Sequence, residues 1–111
     1  MGSNYYVNHP LLPLDKAVAM LNMDMIGRIK DRKVFLGGTA TGDGFKPIVE
    51  KARAATRLQI DASDQGGFGS SDHFSFTVKQ MPVLFFFSGL HSDYHRPSDT
   101  WEKINQDDAA E

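Results

Sequence analysis

The sequence predicts an α/β protein whose sheet, mixed or largely parallel, is flanked by helices. Three observations carry that expectation. The run VLFFF at residues 83–87 is continuously apolar, the mark of a strand covered on both faces. Phe45, Ile48, Val49, Ala52 and Ala55 recur at helical spacing, with Pro47 in a first turn that does not need its N–H. Strand-like and helix-like segments alternate along the chain, as they do when helices cover a sheet.

Residues 1–13, with Asn4, His9, Pro10 and Pro13, read as a helix end or an irregular lead-in. Residues 16–26 are mostly apolar and form a strand candidate closed by Gly27. A shorter strand at 33–36 is followed by the loop GGTATGDG at 37–44. The helix spans 45–57 and leads to a strand of alternating character at 58–62. DQGGFGSSDHFSF is a Gly/Ser-rich loop running into a short helix at 72–78. The buried strand occupies 82–87, and Thr100 starts a final helix that the chain barely completes. One good helix and two short ones are thin cover for a strand apolar on both faces. A larger protein around these residues would supply the rest.

Composition narrows the function classes. A chain of 111 residues, 41% hydrophobic with net charge -2, is one ordinary globular domain rather than a disordered segment. The positive charges are scattered, so no nucleic-acid footprint is present. No apolar stretch reaches the roughly 20 residues of a membrane-spanning helix, and no signal peptide is expected in this chain. Cysteine is absent, which leaves His, Asp and Glu as the available metal ligands. Glu occurs only at Glu50, Glu102 and Glu111, against eleven Asp.

The residues that could carry chemistry cluster after the apolar strands. Asp24, between Met23 and Met25, is a carboxylate in an apolar strand and needs a partner. Metal coordination, backbone amides or a cation such as Arg28 would each serve. His91 and His95 are four apart, but Gly89 before them and Pro97 after them argue for a loop, where that spacing says little. Asp93 and Tyr94 lie between them. Asp99 to Glu102 spells a capping box, so Asp99 reads as a helix cap. Asp72 reads as a cap for the helix after it, with His73 packed behind. Gly66, Gly67 and Gly69 match no phosphate-binding fingerprint and read as loop.

Residue chemistry ends at an α/β domain with a rim of acids and histidines. GSNYYVNHPLLPLDKAVAMLNMDMIGR, GSSDHFSF and MPVLFFFSGLHSDYHRPSDTWEKIN, in that order, resemble the zinc aminopeptidases of metallopeptidase family 28 over most of the chain. The resemblance implies a partial zinc-exopeptidase (phosphorylase/hydrolase-like) fold. It also implies that residues 1–111 are the C-terminal part of a catalytic domain whose complete form holds two zinc ions and cleaves N-terminal peptide bonds. By the same resemblance Asp24 binds one zinc and His95 the other. Ser71, Asp72 and His73 match a loop beside the site, and Tyr94 and Asp99 belong to the tail motif around it. Phe68 stands near where some members place a tyrosine that helps the substrate carbonyl.

Two family motifs have no counterpart here: a His-x-Asp whose Asp bridges the metals, and a Glu-Glu pair that supplies the general base and a ligand. His91-Ser92-Asp93 spells the first but stands in the wrong chain order. Catalytic zinc takes about three protein ligands plus water, and a co-catalytic pair shares a bridging group. This chain offers one ligand to each metal and no bridge, so alone it is expected to be inactive. The alternatives are a single-zinc glutaminyl cyclase or carboxypeptidase relative, or a non-catalytic binding domain of the same fold. The parent is expected to be secreted or periplasmic and to act on peptides, and an exposed sheet edge offers a route to self-association.

Overall fold

The computed structural model describes residues 2–63 and 71–111. In chain order its elements are α1 (Gly2–Asn8), β1 (Met20–Asp24), β2 (Lys33–Gly37), α2 (Phe45–Ala55), β3 (Gln59–Asp61), α3 (His73–Val78), β4 (Val83–Phe87) and α4 (Gln106–Ala109). The four strands form one sheet in the order β1-β4-β2-β3. β1 runs parallel to β4 and β2 parallel to β3, while β2 and β4 are antiparallel. The sheet is therefore mixed, with β4 inside it and β1 at an edge. Among the described residues no helix is long and apolar enough to cross a membrane.

Alternation along β4 sends its side chains to two covered faces. On one face Leu84 joins Leu36 of β2 and Val49 of α2 in the buried core, with Phe45, Ile60 and Phe86 packed against it. On the other, His73 of α3 stacks on Phe85 at 4.3 Å between ring centroids. α1 backs α3 through Tyr6 against Phe76 and a 3.0 Å hydrogen bond between the hydroxyls of Ser3 and Ser75.

Several element boundaries differ from the expectation, each for a local reason. The helix end read in residues 1–13 is α1, which stops at Asn8 with Pro10 just beyond it. The first strand is only Met20–Asp24, because Pro13 leads into a 3-10 turn at Leu14–Lys16. It closes at Met25, not Gly27: Met25 adopts φ 59° and turns the chain into a 3-10 turn at Ile26–Arg28. β4 begins at Val83, since Pro82 has no amide to give the ladder. Its burial is also less than expected, with Val83 and Leu84 buried and Phe85 to Phe87 half-buried. Thr100 starts no α-helix. A single 3-10 turn at Trp101–Lys103 is followed by α4, whose first turn is capped by Asn105 Oδ1 accepting from Asp108 N at 3.2 Å.

Candidate functional site

The parallel pairing of β1 and β4 places Asp24 opposite Phe87, so both strands deliver their carboxyl ends to one edge of the sheet. Ligands bind at such edges in open α/β sheets. Alternation puts Asn22 and Asp24 on the face covered by α3, with Leu21 and Met23 on the other. Ser71 Oγ donates its hydrogen to Asp24 Oδ2 at 2.5 Å. That hydroxyl must therefore accept from Asn22 Nδ2, which lies 3.0 Å away. The second hydrogen of Asn22 Nδ2 faces His73 Nδ1 at 3.3 Å, which makes Nδ1 an acceptor and puts the proton of a neutral ring on Nε2. His73 is fully buried, and its Nε2 has no hydrogen-bond partner among the described residues. One chain of hydrogen bonds thus runs from a core histidine to the half-buried carboxylate. No described residue donates to Asp24 Oδ1.

The loop after β4 carries the rest. Ser88 Oγ donates to Met25 O at 2.5 Å and joins the turn after β1 to the start of this loop. Asp93 collects donors on both oxygens: Arg28 Nη2 on Oδ2 at 3.0 Å, Ser98 Oγ and Lys103 Nζ on Oδ1 at 2.7 and 2.9 Å. Lys103, Ser98 and Arg28 hold its carboxyl well below the usual carboxylate range. The second guanidinium arm, Arg28 Nη1, donates to Asp99 Oδ1. His95 lies between these anchors in the left-handed region at φ 55°, its ring exposed and 3.9 Å from that of Tyr94. No described residue hydrogen-bonds to that ring.

Two readings are corrected by this geometry. Arg28 does not neutralise Asp24; it reaches across to Asp93 and Asp99. Asp99 caps nothing: the residue ahead of the 3-10 turn is Thr100, and no side chain caps it. Asp72 stands at the N-cap of α3 and is exposed, but its side chain makes no capping bond. His91 and His95 sit on a loop of turns as expected. The His91 side chain is largely buried, with Nε2 3.9 Å from Asp99 Oδ2 and Nδ1 unpartnered among the described residues. Phe68 and the glycines at 66, 67 and 69 lie outside the described residues. Among the described residues no three His, Asp or Glu side chains gather into one metal-holding group.

Ser88, Ser98 and Lys103 have no role in the sequence reading, and Asn22 enters it only as part of the Asn-x-Asp-Met stretch at 22–25. Only Asn22 left a signal, since i and i+2 in a strand share a face and a polar residue there faces Asp24's surroundings. Beyond β4 a hollow of about 440 Å³ is lined by Phe35, Phe85, Phe87 and Leu90, with Asp61 and Ser63 among its other residues. It offers apolar surface beside the sheet edge that carries Asp24.

The sequence model of Peptidase family M28 matches residues 1–111. A search of curated protein sequences gives no match. Among solved structures the chain is similar to the LapA aminopeptidase of Legionella pneumophila, with 21% identity and a TM-score of 0.74 over 97% of this chain and 31% of that one. It is likewise similar to BSAP, a zinc aminopeptidase from Bacillus subtilis, with 20% identity and a TM-score of 0.75 over 98% of this chain and 29% of that one. At such identity the likeness establishes the fold. The chain spans under a third of the length of these structures.

Proposed function

The chain belongs to Peptidase family M28, and from that premise we propose that it is the C-terminal part of a zinc aminopeptidase catalytic domain, with Asp24 and His95 each holding one of two metal ions. The observation that carries this reading is the shared sheet edge, where β1 ends in Asp24 and β4 empties into the loop bearing His95. Their donors fit zinc, which takes carboxylate oxygen and imidazole nitrogen. Asp24 keeps Oδ1 free of described donors, and the His95 ring is exposed and free of them.

The chain's own residues prepare these ligands. The Ser71 hydroxyl fixes Oδ2 and so orients the Asp24 carboxylate, and Asn22 in turn orients Ser71. When bound, zinc supplies Lewis-acid polarisation of a carbonyl and a water of lowered pKa. Proton transfer falls to a group outside these 111 residues. Glu50 pairs with Arg53 on α2, and Glu111 pairs with Arg57. Glu102 lies in the 3-10 turn beside Thr100. No hydrogen bond links any of the three to Asp24 among the described residues. The peptide substrate follows from the family, and the hollow beyond β4, lined by phenylalanines with Asp61 and Ser63 among them, offers room for a side chain of that peptide.

An exopeptidase assay on the full-length protein, with aminoacyl nitroanilides and zinc present, tests the proposal. Asp24→Ala and His95→Ala are each expected to lower kcat/KM by about 100-fold or more, since each leaves a metal short of a ligand. Full activity in either variant would contradict the assignment.

A further inference from the structure

The Arg28 guanidinium, just beyond the strand that ends in Asp24, is the one described side chain that grips both ends of the His95 loop. It rises from the 3-10 turn four residues after Asp24, and that turn is closed by Arg28 N donating to Met25 O at 2.8 Å. One arm takes Asp93, two residues before His95, and the other takes Asp99, four residues after it. The Arg28 and Asp93 side chains are only 19% and 15% exposed, so water competes poorly for this pair. The exposed Arg53–Glu50 pair on α2, at 44% and 67%, has no such protection.

Within the loop, Ser98 bonds back to Asp93, and Arg96 N donates to Asp93 O at 2.9 Å. These contacts close a ring around His95. A left-handed backbone at a non-glycine residue persists only where its surroundings over-determine it. Two carboxylates held by one planar fork do that. A lysine could not, because its ammonium is a single point on a flexible stem.

We propose that Arg28 is a positioning residue, whose simultaneous grip on Asp93 and Asp99 fixes where the His95 imidazole stands relative to the Asp24 carboxylate. The proposal rests on the reading of Asp24 and His95 as metal ligands. Side chains that orient ligands change metal affinity by about 10- to 100-fold when altered.

The test is zinc affinity of the full-length protein, by competition with a chromophoric chelator, alongside the melting temperature of the metal-free protein. Arg28→Lys keeps the charge and loses the fork; Ser98→Ala opens the ring more gently. Both are expected to weaken zinc binding, Arg28→Lys by about 10-fold or more, while the metal-free melting temperature stays near that of the unaltered protein. Arg53→Gln is the reference and should leave affinity unchanged. Unaltered affinity in Arg28→Lys and Ser98→Ala overturns the proposal. So does a loss of affinity seen only where the metal-free melting temperature falls with it, which would make Arg28 a structural latch. Asp24→Ala and His95→Ala run beside them: unchanged affinity there would instead sink the metal reading itself.

Discussion

Gly38 follows β2 with φ +86°, and a Cβ built on it would lie 2.3 Å from the carbonyl oxygen of Val83. That carbonyl belongs to the first residue of β4, whose amide donates to Thr41 Oγ1 at 2.8 Å. Gly38→Ala therefore combines a left-handed backbone penalty with a backbone clash that cannot relax by rotamer change. The expected cost is about 2–4 kcal/mol, read by chemical denaturation. A loss under about 0.5 kcal/mol would mean that the turn re-forms without this approach. The sequence marks Gly38 as loop but says nothing of Val83, forty-five residues on and across the sheet. Arg28 shows the same limit. Asp24 is its near neighbour in sequence, yet the turn at Met25 aims it at Asp93 and Asp99. Which carboxylate an arginine finds depends on the fold, and local spacing misled.

Elements that carry their own punctuation were the legible ones. Pro47 and the apolar stripe placed α2, and VLFFF placed β4, because both signals are local. The last segment departs from its capping-box pattern, since Asp99 accepts from Arg28 and Thr100 stands ahead of the 3-10 turn. What ties the chain's end down is a tertiary contact at Glu111. It accepts from Thr56 Oγ1 and Arg57 Nε, both at 3.0 Å, and from the Arg57 amide, joining α4 to the segment between α2 and β3. The Arg57 amide and guanidinium hold its carboxyl below the ordinary value of 4.5. A depressed folded pKa contributes stability above the unfolded value, and that stability is lost as pH falls through the folded one. Melting curves between about pH 6 and pH 3 should therefore fall more steeply below pH 4.5 for the unaltered chain than for Glu111→Gln. At pH 6 the variant should be the less stable of the two. Parallel curves would remove Glu111 from the acid response.

The described residues build a four-stranded mixed sheet with an edge strand, β1, whose Leu21 and Met23 stand 58% and 61% exposed. Fold class was readable from the sequence because strand and helix signals alternate. Asp24 and His95 were named through the family resemblance, and the pairing of β1 with β4 brings the end of β1 beside the strand that leads into the His95 loop. The contact of Ser88 with Met25 was not readable, since it depends on which strand ends lie side by side, and the bonds of Ser98 and Lys103 to Asp93 depend on how the loop folds back on itself. The central claim is that these 111 residues hold half of a metal site, one ligand to each ion. Calorimetric titration of the 111-residue chain with zinc, with Asp24→Ala and His95→Ala as controls and circular dichroism to verify folding, tests it most directly. The expected result is no binding, or binding weaker than roughly millimolar. Binding at about micromolar or tighter that both substitutions abolish would contradict the account, because Asp24 and His95 would then share one metal with further ligands from this chain.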